Sequence, residues 1–172
     1  MAHAAPGVRP ITTRSDLEKL LAVDRKVFVE PNNWLNVNVA VQWVKVHSQS
    51  VFALFHGEKI VGYAKCLPLR PDVFRTAISG SSDLRAHLTG SNLLSDNETM
   101  RYASRDGNYA AVGMVILDPE RKAEHDQVAA PLFERMSHWF QAVRLRGLIC
   151  QTETEAEARL VQGGLRIRTQ GC

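Results

Sequence analysis

The pattern of apolar and polar positions is organised around residues 109–141. An apolar run at 110–117 ends in Asp118-Pro119, and a charged stretch fills 120–126. Apolar positions then return at Val128, Leu132, Phe133, Met136, Trp139 and Phe140. The first run lacks strict polar alternation and is bounded by turn residues, which suits a central strand covered on both faces. The second has the three-and-four spacing of a helix, so the unit reads strand, loop, helix. A loop that opens a helix after such a strand leaves amide N–H groups and the positive end of the helix dipole at one mouth, where a phosphate can sit. The pattern therefore predicts a phosphorylated cofactor there.

Upstream, a short strand is expected near residues 8–12. Thr13 or Ser15 then caps a helix, with Leu17, Leu20, Leu21, Asp24, Val27 and Phe28 at helical spacing and Pro31 ending it. Residues 32–38, NNWLNVN, read as a loop. In 39–46 the spacing of Val39, Trp43 and Val46 favours a short helix, while the β-branched content leaves a strand open. Residues 50–67 give a hairpin, SVFALF and KIVGYAKCL around His56-Gly57-Glu58-Lys59. Residues 68–108 are rich in Pro, Gly, Ser and Asn and too long for a structureless loop, so short helices are expected at 83–88 and 97–102. After the central unit come a strand at 148–152, a helix at 155–162 stopped by Gly163-Gly164, and a last stretch, LRIRTQGC, that begins another strand. The sheet then either lacks a terminal strand or borrows one from a second copy in a homodimer.

Composition narrows this picture. At 172 residues, with 45% hydrophobic and 23% charged, the chain reads as one soluble domain with a sizeable core. A net charge of +3 without a basic run argues against a nucleic-acid partner. No stretch reaches the length of a membrane span and the first ten residues lack a signal-peptide core, so the expected location is cytoplasmic. Cys66, Cys150 and Cys172 and the histidines show no metal-type spacing, so no metal is expected and the thiols are read as reduced. Cys150 is read as a buried, inert thiol, and His125 is the histidine of most interest.

Three pieces, in this order, carry a resemblance: DRKVFVE at 24–30; the hairpin HGEKIVGYAKCLP at 56–68; and VILDPERK at 115–122 with QVAAPLFERM at 127–136, followed by EARLVQGGLRI at 157–167. In their order the chain resembles the GNAT superfamily of acyl-CoA-dependent N-acyltransferases, over nearly all its length except 69–108. The resemblance implies an α/β (α+β) fold: a mixed, mainly antiparallel central sheet, helices on both faces, and a V-shaped cofactor cleft. It differs at the phosphate loop, matched to 125–130, which lacks the usual glycine, and Glu124 and Asp126 there oppose the attraction of Arg121 and Lys122. Leu160 stands where many members carry a thiolate-protonating Tyr, and the central strand has no Glu. Arg25, Phe28, Trp34 and Cys66-Leu67-Pro68 also resemble the acyl-homoserine-lactone and N-acyl amino acid synthase branch in architecture. That branch's Glu and Arg on the central strand are replaced by Ala111 and Met114.

The resemblance implies an enzyme that moves an acyl group, acetyl first among candidates, from acetyl-CoA or another acyl-CoA to a small-molecule or peptide amine. Backbone N–H groups near Met114 and Val115 would hold the thioester carbonyl oxygen. Arg121, Lys122, Gln127, Val128, Ala129 and Ala130 would meet the cofactor, and Tyr102 or Tyr109 would replace the missing general acid. Arg25, Phe28 and Trp34 would line an acyl or amine pocket. Each has a plainer alternative: a solvated loop for Arg121 and Lys122, helix core for the alanines, structural tyrosines, and core for Phe28 and Trp34 with Arg25 on the surface. Two other functions stay open, a GNAT-fold binding or regulatory protein without catalysis and a synthase using acyl carrier protein. The segment 69–108 is expected to be a mobile lid over the acceptor site that supplies Arg101 or Tyr102.

Overall fold

A computed structural model describes residues 7–79, 84–120 and 125–150. Among the described residues the strands are β1 (Gly7–Pro10), β2 (Val51–His56), β3 (Lys59–Leu69), β4 (Asn108–Leu117) and β5 (Leu145–Cys150), and they lie in that order across one five-stranded sheet. Neighbours are antiparallel from β1 to β4, and β4 pairs with β5 in parallel. The β2–β3 turn is as short as the hairpin pattern demands, with Gly57 at φ 63°, a value that glycine adopts without steric cost. The parallel pair needs a long crossover, and α6 (His125–Ala142) supplies it.

Helices cover both faces. α1 (Arg14–Val27) and α2 (Val37–Val46) lie on one side with α3 (Pro71–Ile78), α4 (Leu84–His87) follows α3, α5 (Asp96–Ala103) leads into β4, and α6 lies on the opposite side. Alternation along the strands decides which side chain meets which layer. Ala53, Phe55, Tyr63, Leu67 and Leu69 pack with Leu17, Leu20, Trp43 and Phe74, while Phe52, Leu54, Ala64, Cys66, Ala110 and Val112 pack with Ala129, Leu132, Met136 and Trp139. Each fully buried leucine on α1 contributes about 1.5–3 kcal/mol of transfer free energy. Thr13 Oγ1 caps α1 by accepting from Asp16 N, Asn36 Oδ1 caps α2 by accepting from Val39 N, and Ser95 with Glu98 closes a capping box on α5.

The helix over 39–46 is confirmed, two residues longer at its start. β5 begins at Leu145, three residues before the expected 148, because the pairing of Asn108 with Leu145 extends the ladder back to the end of α6. α3 was not foreseen in the sequence; Pro71 opens it at a first helical position, where its missing N–H costs nothing. The segment 69–108 has short helices as expected, and part of it belongs to the core. Phe74, Leu93, Leu94, Thr99 and Ala103 are buried, and Leu93 bridges to Leu69 of β3. The strand expected to end at 152, the helix at 155–162 and the closing strand reach into or lie wholly within residues outside those described.

Candidate active site

The site is built on an irregularity of β4. Tyr63 of β3 faces Ile116 and Lys65 faces Gly113, so Ala64 stands opposite two residues, Met114 and Val115. This is a β-bulge, which takes one residue of β4 out of the regular ladder and re-aims its backbone. On the other edge of β4, pairing with β5 runs from Asn108 to Val112. Among the described residues, the stretch from Gly113 to Leu117 pairs with β3 alone. The bulge thus lies just past the last described pair of β4 with β5, Val112 with Cys150.

On the α1 face, the side chains flanking the bulge are Tyr63 and Lys65. Lys65 lies across Gly113, so that a Cβ there would come within 2.3 Å of Lys65 Cε and 2.9 Å of its Cβ. Tyr63 is 1% exposed and donates its hydroxyl hydrogen to Asp24 Oδ1. Asp24, also 1% exposed, accepts through Oδ2 from Leu35 N at 2.5 Å. Burial pushes the Asp24 carboxyl above its usual range, against the bonds from Tyr63 and Leu35 and the nearby charge of Lys65, which favour the carboxylate. Burial, then the neighbouring Asp24, drives the Tyr63 phenol well up, so it stays a donor.

The loop after α1 joins this cluster. Trp34 Nε1 donates to Phe28 O at 3.0 Å, and the Arg25 guanidinium lies 5.1 Å from the centroid of the Trp34 ring. Arg25, Phe28 and Trp34 are therefore brought together, with Arg25 exposed and the two aromatics part-buried. Lys26 Nζ meets Asp118 Oδ2 at 2.8 Å and Glu120 Oε1 at 3.1 Å, tying the end of α1 to the turn that leaves β4.

Met114 and Val115 form the bulge itself. Arg121 and Lys122 lie outside the described residues. Gln127 and Val128 fall in the first turn of α6, Ala129 is buried in the core beneath it and Ala130 is exposed. Tyr109 stacks on Phe74, ring centroids 4.5 Å apart, near the start of β4. Tyr102 lies on α5, which is fastened to that same end of the strand, where Asn108 Nδ2 donates to Thr99 O and to Val143 O. At about 3.3 Å per residue, Tyr109 is roughly 16 Å along β4 from Met114, and the structure does not bring either tyrosine to the bulge.

Asp24, Tyr63 and Lys65 escaped the reading of the sequence. The signal was present for Asp24: a carboxylate at an apolar position of α1, four residues after Leu20 and seven after Leu17. Tyr63 and Lys65 gave none, since only the pairing register puts them beside the bulge. His47 was also passed over. It is buried, its Nε2 accepts from Trp139 Nε1 at 3.2 Å, and its Nδ1 lies 2.9 Å from Asp96 Oδ1. Burial lowers its pKa from the ordinary 6.5 while Asp96 pulls it back up. Cys66 is buried and burial pushes its thiol up, which makes it unreactive. Cys150, expected buried, is intermediate. Among the described residues, no cluster of three or more His, Cys, Asp or Glu could hold a metal ion, and no helix is long and apolar enough to cross a membrane.

A mixed sheet with helices on both faces, a bulged fourth strand and a parallel fifth strand define the class: the chain has the GNAT fold. Particular solved structures share it. An aminoglycoside acetyltransferase, meta-AAC0020 from an uncultured soil metagenomic sample, solved with sisomicin, aligns with a TM-score of 0.58 at 11% identity over 97% of this chain and 92% of that one. An acetyltransferase of Trypanosoma brucei aligns with a TM-score of 0.55 at 12% identity, over 97% and 96%. The loading GNATL domain of CurA from Lyngbya majuscula gives a TM-score of 0.52 at 16% identity over 77% of this chain, which spans only 58% of that one. No family model matches the sequence, and no curated protein matches it.

Proposed function

We propose that this protein is a GNAT-type N-acyltransferase that moves an acyl group, acetyl first among candidates, from an acyl-CoA to a small-molecule or peptide amine. The observation that carries the reading is the bulge at Met114–Val115, just past the described pairs of β4 with β5. A residue out of the ladder can turn an amide N–H toward a ligand, and a fixed donor aimed at a growing oxyanion is worth about 10²–10³ in rate. The residues fit an acyl-CoA in a second respect, because the first turn of α6 follows β4 and anions are favoured at a helix N-terminus. In this reading Gln127 and Val128 contribute that turn, Ala129 and Ala130 back it, and Arg121 and Lys122 serve the phosphates.

An acyl-CoA supplies an acyl carbon activated as a thioester. The chain's part is to hold the carbonyl oxygen at Met114–Val115 and the amine on the α1 face, near Arg25, Phe28 and Trp34. A C–N bond forms, the C–S bond breaks, and the amine proton leaves as the thiolate takes one up. With Tyr109 at the far end of β4 and Tyr102 on α5 beside that same end, positioning carries most of the rate and protons exchange with solvent. The aminoglycoside acetyltransferase neighbour supports a small-molecule amine as acceptor.

Isothermal titration with acetyl-CoA and longer acyl-CoAs, followed by thiol release with sisomicin, a linear diamine and a peptide with a free amino terminus, tests this. No heat of binding at millimolar acyl-CoA would sink it. The glycine-free turn at 125–130 favours a second reading, a binding or regulatory protein, and acyl-CoA binding without turnover on any amine would select it. Product formed only with acyl carrier protein as donor would point to the synthase reading instead.

A further inference from the structure

We propose that Asp24 and Tyr63 form a clamp that fixes the loop 28–36 against β3 beside the β4 bulge, and that they act as positioning residues for the acceptor amine. The amine's role rests on the acyltransferase reading, whereas the clamp's geometry does not.

Asp24 makes three contacts in three directions. Its backbone O accepts from Phe28 N at 2.8 Å, at the start of the loop, and Oδ2 accepts from Leu35 N at 2.5 Å, at its end. Oδ1 accepts from the Tyr63 hydroxyl, on the strand whose next residues face the bulge. One residue thus holds both ends of the loop and ties them to the sheet. Inside the loop, the Trp34-to-Phe28 hydrogen bond and the Arg25 guanidinium over Trp34 make the rest follow as a unit.

Stability does not require this arrangement. Leu17 and Leu20 fill the same stripe of α1, and an apolar residue at position 24 would complete it without desolvating a carboxylate. A buried carboxylate with both oxygens bonded is instead a device for specifying one geometry, since any displacement of the loop leaves a buried acceptor unpaired. That geometry sets where the side chains of Phe28 and Trp34 stand relative to the bulge, and errors of about 1 Å in such placement cost on the order of 10²-fold in rate.

Two near-isosteric variants test it. Tyr63→Phe removes one oxygen, and Asp24→Asn keeps the size and an acceptor oxygen while removing the charge, so that a folded variant is available even if one of them unfolds. For each, acyl-CoA affinity is measured by titration, kcat and KM for the best amine of the panel by thiol release, and exchange of the Leu35 amide hydrogen by NMR. Acyl-CoA affinity is expected to stay within about twofold, while kcat/KM for the amine falls roughly tenfold or more and the Leu35 amide exchanges about tenfold faster. Unchanged Leu35 exchange overturns the clamp. Faster exchange with kcat/KM for the amine unchanged, or an equal loss for amine and acyl-CoA, overturns the positioning role. Wild-type protein without transfer activity overturns the acyltransferase reading and the acceptor role with it, while the exchange measurement still judges the clamp.

Discussion

A methyl group at Gly113 has nowhere to go. It would meet the Lys65 chain at 2.3 Å from Cε and 2.9 Å from Cβ, and although Cε can swing away, Cβ is fixed to β3. Gly113→Ala is therefore expected to push β3 and β4 apart just before the bulge, at a cost of about 1–3 kcal/mol, read from the urea midpoint. His47 gives a pH dependence. With Nε2 accepting from Trp139, the neutral ring carries its proton on Nδ1, toward Asp96, and protonation would set two N–H donors against each other at 3.2 Å. Its folded pKa lies below its ordinary value, so the unfolded chain takes the proton first. The stability involved is complete above about pH 6.5 and is lost as pH falls through the lowered folded value. Urea midpoints at about pH 7.5 and pH 5.5 should fall for the wild type and fall less for His47→Gln, a comparison from which the opposite contribution of Asp24 cancels.

At the scale of elements, the segment between β3 and β4 behaves as structure. α5 is held at three points: Ser48 N and His47 Nδ1 lie against Asp96, Asn108 Nδ2 donates to Thr99 O, and Arg144 donates to Ala103 O. Leu93→Ala, at a site 2% exposed, is expected to cost about 2–5 kcal/mol in unfolding free energy. Replacing 71–106 by a flexible linker would remove the buried Phe74, Leu93, Leu94 and Ala103 together and expose the core that Phe74 and Leu93 pack on, and the expected outcome is loss of cooperative unfolding in thermal melts. A shortened chain that melts cooperatively and keeps its acyl-CoA affinity would instead mark the segment as a separable lid.

At the scale of the molecule, β4 is the seam: α1 and α3 pack on it from one side and α6 from the other. A ligand gripping both Met114–Val115 and the first turn of α6 would couple these layers through binding alone. At a hundred times its dissociation constant, acetyl-CoA is expected to add about 2.7 kcal/mol to the unfolding free energy, which a melting curve with and without ligand would detect. No rise in Tm at saturating ligand would count against the proposed function.

Local physics made much of this molecule legible. The three-and-four spacing of α1, its Thr13 cap, the Gly57 hairpin and the apolar run of β4 are each decided within a few residues, and so was the order of elements that leads to the GNAT fold. Phe28 and Trp34 beside Arg25 were picked out by their resemblance to the synthase branch. Register decided the rest. The bulge exists because Tyr63 pairs with Ile116 and Lys65 with Gly113, a one-residue offset between segments some fifty positions apart that no local pattern encodes. The scattered apolar residues of 69–108 look loop-like in the chain, and only the sheet they pack against makes Leu93 and Phe74 core. Asp24 shows the boundary: the sequence displays a charge on an apolar stripe, but its partners, Leu35 and Tyr63, are 11 and 39 residues away, and folding alone brings them to its two oxygens.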